Sequence, residues 1–180
     1  ISWPLCERTE ALTRLASLIE KNVFELAWLL SIEAGRTIED ALSEIREAAD
    51  FCRYYTSCAT KLVSENQIEE TAGGIFLCIS PWNFPLAIFV GQVVAALVSG
   101  NVVIAKPAEQ TPLIAYKAVE LFYKSGVPSS VLNLLLADGL TTSKLIDSDL
   151  QLSGVAFTGS NSTAYKIQTS IANRSDRVAF

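Results

Sequence analysis

The chain has 180 residues, half of them hydrophobic, a formal net charge of −5 and no histidine. That length is enough to bury a good core in one domain or slightly more. Acidic balance with scattered Lys and Arg argues against a nucleic-acid partner, and a chain without histidine builds neither a Ser-His or Cys-His nucleophile pair nor a histidine metal site.

Ile1 to Arg8 reads as a lead-in. From Glu10, the apolar residues Leu12, Leu15, Ile19, Val23, Leu26 and Leu30 keep helical spacing, and Gly35 is placed to cap the end. Thr37 with Asp40 makes a weak capping box that opens a second helix, striped by Ala41, Leu42, Ile45, Ala49 and Cys52. Glu39, Asp40, Glu44, Glu47 and Asp50 read as its solvated face. Lys61 to Thr71 is polar and predicts a surface crossing or an edge strand before Gly73-Gly74.

Ile75 to Ile79 is apolar and uncharged, the pattern of a strand buried on both faces of a parallel sheet, and Ser80-Pro81 stops it. Pro85 suits the first turn of a helix striped by Leu86, Phe89, Val90, Val93, Val94 and Leu97, which Ser99-Gly100-Asn101 ends. Val102 to Ala105 is the next strand. This βαβ unit predicts a right-handed crossover and a ligand site beyond the carboxyl ends of its strands, at Pro81-Trp82-Asn83 and Lys106-Pro107-Ala108-Glu109. Thr111 is placed to cap, and Pro112 to start, a helix to about Lys124, stopped by Gly126 and Pro128. Val131 to Leu136 is a third strand, Asp138-Gly139 a turn, Thr141 to Ile146 a short helix and Val155 to Phe157 a fourth strand. Thr158-Gly159-Ser160 opens a last helix to about Ala172. The alternation predicts an α/β fold with a doubly wound, mostly parallel, Rossmann-like sheet (71–180), preceded by two long helices (1–70).

Phe84 to Val98, the longest apolar stretch, is broken by Gly91-Gln92 and falls short of the roughly 20 residues a bilayer span needs, so it reads as a buried helix rather than a transmembrane segment. No signal-peptide pattern is in view. Cys6, Cys52, Cys58 and Cys78 contain no CxxC pair, which argues against zinc or a disulfide framework and fits a reducing, cytoplasmic setting. The lack of methionine and the apolar ending Val178-Ala179-Phe180 predict a piece of a longer protein, with faces covered by something outside it.

Lys106 and Glu109 leave one strand end three residues apart. A carboxylate there accepts hydrogen bonds from ribose hydroxyls and repels a 2′-phosphate, although these two residues alone read rather as an ordinary surface ion pair. Gly159 and Ser160 stand at a helix start, where free N–H groups favour a pyrophosphate, or form a plain N-cap. Gly139 fits a close approach of backbone to ligand or a tight turn. Asn83 suits a turn residue bonded to local backbone. No G-x-G-x-x-G follows the first strand, which counts against a standard dinucleotide loop.

PWNFP, a long apolar helix, GN, an apolar strand, KPAEQTP and the FTGS at Phe157 to Ser160 together resemble the NAD-dependent aldehyde dehydrogenases, which seat their cofactor without that loop. The phrases REAADFCRYY and PWNFPLAIFVGQVVAALVSGN are similar to the glutamate-semialdehyde (1-pyrroline-5-carboxylate) dehydrogenase part of bacterial bifunctional proline-utilisation proteins. The resemblance implies NAD held at Ile79, Ser80, Pro81, Trp82, Lys106, Glu109, Gly139, Thr158, Gly159 and Ser160. It also implies an aldehyde substrate, glutamate semialdehyde, and Asn83 donating to the oxyanion. Glu47 or Phe51 would lie near the aldehyde entrance. The cysteine nucleophile and glutamate base belong to later parts of such proteins, so 180 residues alone are expected to be inactive, and the intact protein is expected to be a homo-oligomer. Ala164 departs from the pattern, standing where many relatives carry glycine. A non-catalytic nucleotide-binding module is the rival expectation.

Overall fold

The computed structural model describes residues 3–65, 72–148 and 151–174. Its elements run α1 Leu5–Lys21, α2 Val23–Ala34, α3 Ile38–Ser64, β1 Ile75–Ile79, α4 Ala87–Val98, β2 Val102–Lys106, α5 Pro112–Ser125, β3 Leu132–Leu134, α6 Gly139–Ser148, β4 Leu152–Phe157 and α7 Asn161–Ala172. β1 and the last helix stand where the sequence pattern puts them; β2, β4 and α6 extend beyond the expected bounds and β3 is shorter.

The N-terminal helices differ most from expectation. Helix begins at Leu5 inside the expected lead-in, and the single apolar stripe is carried by two helices broken at Asn22. Asn22 leaves the helical conformation, with its N–H on the Leu18 and Ile19 carbonyls and its side-chain amide donating to Leu18 O at 2.7 Å. The break preserves burial of Leu12, Leu15 and Ile19 before it and Leu26 and Leu30 after it. Gly35 caps α2 in the left-handed region, φ 65°. Thr37 Oγ1 accepts from Asp40 N at 3.1 Å as a capping residue should. α3 then runs on to Ser64, so the first part of the expected crossing at Lys61 to Thr71 is helical, and 66–71 lie outside the described residues.

All four strands are parallel, in the order β3-β2-β1-β4. Ile79 is in register with both Lys106 and Phe157, so three strands end at one level. Alternate residues of β1 face opposite sides. Phe76 and Cys78 join the large core beneath α1 to α5, whereas Ile75, Leu77 and Ile79 pack with Ile146 of α6, Val155 of β4 and Ile167 of α7. A strand covered on both faces explains its uninterrupted apolar run. The chain leaves β1 towards β2 on one side, while β4 lies on the other. That reversal is the switch point at which open α/β sheets form a crevice. Among the described residues, no helix is long and apolar enough to cross a membrane.

Candidate functional site

Three turns rise from the aligned carboxyl ends of β1, β2 and β4. Between them lies a cleft of about 520 Å³, lined by Ser80, Pro81, Trp82, Asn83, Lys106, Glu109, Thr158, Gly159 and Ser160 among others. Ile79 and Gly139 line an adjoining cavity of about 280 Å³ between α6 and α7, and Lys106 borders both spaces. The residues singled out from sequence are therefore brought together at one end of the sheet.

Lys106 is 6 % exposed and its Nζ donates to Pro107 O at 3.0 Å. Burial lowers its pKa, with Glu109 and Asp138 pulling the other way. Glu109 is exposed and accepts the Gly139 N–H on Oε1 at 3.1 Å, tying the turn after β2 to the start of α6. Among the described residues no ion pair joins Lys106 to Glu109. At β4, Gln92 Nε2 of α4 holds Thr158 Oγ1 at 3.0 Å, and Ser160 Oγ caps α7 by accepting from Thr163 N at 3.3 Å. A Cβ at Gly159 would stand 2.5 Å from the far end of the Phe157 ring, so any larger residue there must push that ring aside. Gly139 has open space beside its Cα. Ala164 is half-buried on α7.

Trp82 and Asn83 are exposed on the turn after β1. Among the described residues nothing hydrogen-bonds the Asn83 side chain; its main-chain carbonyl accepts from Arg36 Nη2. The local side-chain turn bond expected of asparagine is absent among the described residues, its carbonyl being held from a distant residue instead, and Asn83 lines the cleft.

Glu44, read from sequence as solvated, is 1 % exposed. Its Oε1 accepts from Leu86 N at 2.8 Å and Ala87 N at 3.2 Å, and Arg36 Nε lies 3.3 Å from Oε2 without hydrogen-bond alignment. Burial raises the Glu44 pKa, against the lowering effects of the two N–H groups and Arg36. The misreading has a cause: its partners are main-chain groups 42 and 43 residues later, which no charge pattern reveals. One signal was available, since position 44 falls between Ala41, Ile45 and Ala48 on the buried stripe of α3. Leu42, expected in that stripe, is 38 % exposed. Glu47 and Phe51 line a separate shallow hollow on α3. Cys52 and Cys78 are buried thiols, each pushed up to about 12 by desolvation. None of the four cysteines lines the cleft.

Comparison with known proteins places these features in context. A family model described as the aldehyde dehydrogenase family matches residues 2–180. The bifunctional protein PutA of Klebsiella aerogenes is 46 % identical over 173 residues, covering 96 % of this chain and 13 % of that protein. A solved mutant of proline utilization A from Bradyrhizobium japonicum superposes with TM-score 0.89 at 43 % identity, over 98 % of this chain and 19 % of the other. A 1-pyrroline-5-carboxylate dehydrogenase from Thermus, solved with bound NAD, gives TM-score 0.89 at 30 % identity, over 98 % of this chain and 37 % of the other. The chain thus spans about an eighth of the PutA relative it matches.

Proposed function

The chain belongs to the aldehyde dehydrogenase family, and from that premise we propose that it forms the NAD-binding part of an enzyme that oxidises an aldehyde to a carboxylic acid. The observation that carries this reading is the meeting, in one cleft, of a buried cation, an exposed carboxylate, a capped helix start and the exposed Asn83. Similarity to PutA and to a 1-pyrroline-5-carboxylate dehydrogenase supports glutamate γ-semialdehyde as the aldehyde, in proline catabolism. In this reading the whole protein is cytoplasmic, in keeping with free cysteines and no disulfide among the described residues, and is a homo-oligomer.

The donor set suits a dinucleotide. Lys106 Nζ and the second oxygen of Glu109 reach the hydroxyls of a ribose; the carboxylate repels a 2′-phosphate, which selects NAD over NADP. Ser160 uses Thr163 N–H, leaving the earlier N–H groups of the α7 turn to a pyrophosphate beside Thr158 and Gly159. Ser80, Pro81 and Trp82 wall the cleft on the β1 side, Ile79 lines the adjoining cavity, and Gly139 lets ligand approach the start of α6. When bound, NAD+ supplies an acceptor for the hydride lost by the aldehyde carbon. Asn83 donates its amide N–H to the oxygen that becomes negative when that carbon is attacked, an interaction worth about 3 kcal/mol in comparable sites. No thiol of this chain faces the cleft, so in this reading the attacking group comes from elsewhere in the whole protein.

Calorimetric titration with NAD+ of the 180-residue chain and of Glu109→Ala tests the cofactor assignment. Wild type should bind, gaining about 2.7 kcal/mol of stability at a hundred times its Kd. Glu109→Ala should bind about tenfold more weakly, a loss of about 1.4 kcal/mol, and discriminate less against NADP+. Equal affinities in folded wild type and variant would remove the ribose role from Glu109.

A further inference from the structure

We propose that Arg36 and Glu44 are positioning residues that clamp the turn after β1 from both sides of Pro85 and thereby aim the Asn83 amide. The proposal rests on the oxyanion role given to Asn83 above. Trp82, Asn83 and Phe84 stand exposed in the turn 80–86, and α4 has no side chain of its own capping its start. The N–H groups of Leu86 and Ala87 are instead taken by one oxygen of Glu44, which reaches over from α3. On the other side of Pro85, Arg36 donates from Nη2 to the Asn83 carbonyl and lies 4.2 Å from the centroid of the Phe84 ring. The guanidinium and carboxylate meet at 3.3 Å, so the two halves of the clamp are one unit.

Every held group around Pro85 is main chain or the Phe84 ring. The Asn83 side chain is the part left unheld, and its direction follows from the fixed carbonyl behind it. Arg36 owes its place to Gly35, whose left-handed conformation ends α2 and turns the chain towards α3. Lysine at position 36 would keep the charge but not the planar fork that serves a carbonyl, a carboxylate and a ring together. Removal of the cation altogether would strand the Glu44 charge, which threatens folding as well as geometry.

The test uses the whole protein that contains this chain, with Arg36→Lys, Asn83→Ala and the double variant, and Arg36→Met as a harsher change. Misplacement of a catalytic group by a fraction of an ångström to an ångström costs up to about 100-fold, so Arg36→Lys should lower kcat about 10- to 100-fold while the Kd for NAD+ stays within about twofold. On the Asn83→Ala background the same change should lower kcat no further, because there is nothing left to aim. A full additional loss on that background, or a matching loss of NAD+ affinity, overturns the clamp and leaves a plain structural ion pair. If Asn83→Ala keeps wild-type kcat, the oxyanion reading fails instead. Amide exchange then decides the clamp by itself: Leu86 and Ala87 should exchange faster in Arg36→Lys than in wild type, and unchanged rates would overturn it.

Discussion

Two glycines abut two phenylalanine rings, and the rings lie in different places. A Cβ on Gly154 would stand 2.3 Å from the Phe76 ring, which is packed against the large core; one on Gly159 would stand 2.5 Å from the Phe157 ring, which lines the cleft. In the first case three atoms of the ring stand within 2.7 Å, and overpacking of this kind costs about 1–3 kcal/mol. Gly154→Ala should therefore lower Tm, with little effect on ligand affinity beyond lost stability. In Gly159→Ala the far end of the ring can yield, but it yields into the cleft. That variant should melt close to wild type and bind NAD+ about tenfold more weakly, a difference of about 1.4 kcal/mol. Equal Tm losses with equal affinities would show that Phe157 does not form the cleft wall. The placement of Asn83, Lys106 and Glu109 at one end of the sheet was legible from sequence because each stands at or just beyond the end of an apolar strand. Glu44 was not, because its carboxylate answers to backbone donors on another helix.

Helix starts show the same division between local and distant chemistry. α3 is capped by its own Thr37, as the spacing to Asp40 predicts. For α5 the sequence points to Thr111, yet that hydroxyl is buried without a hydrogen-bond partner, and the cap comes from α2: Glu33 accepts Leu113 N on one oxygen and Ile114 N on the other, both at 2.8 Å. A carboxylate at a helix N-terminus also meets the positive end of the dipole. Glu33→Ala should cost about 1–2 kcal/mol in chemical denaturation, in line with other lost caps. Thr111→Val, which removes an unsatisfied polar atom at constant shape, should be neutral or stabilising. A larger loss at Thr111 than at Glu33 would return the cap to the local residue. The break at Asn22 was hidden for a related reason, since one apolar stripe at helical spacing serves equally well for two helices that bury the same face.

At the scale of the molecule, the α/β architecture was legible because β1 is apolar on both faces and each crossover helix is bracketed by proline or glycine. What stayed hidden is how the N-terminal helices become part of the site: α2 caps α5, and α3 with the α2–α3 loop grips the turn after β1. α2 meanwhile presents Phe24, Trp28 and Ile32 to solvent, a row at four-residue spacing that is 53–88 % exposed.

The alternation of β1 puts Ile79 beside the cleft and Cys78 in the core beneath α4, at 1 % exposure and with its thiol pushed up to about 12. Cys6, by contrast, is exposed. The chain therefore carries its own clock: a thiol reagent near neutral pH should modify Cys6 at once and Cys78 only when the central strand opens. Because ligand that binds only the closed form multiplies the cost of opening, NAD+ at a hundred times its Kd should slow Cys78 labelling about 100-fold and leave Cys6 unchanged. Two native thiols in one sample would then time the opening of the sheet floor beneath the cleft without any engineered residue.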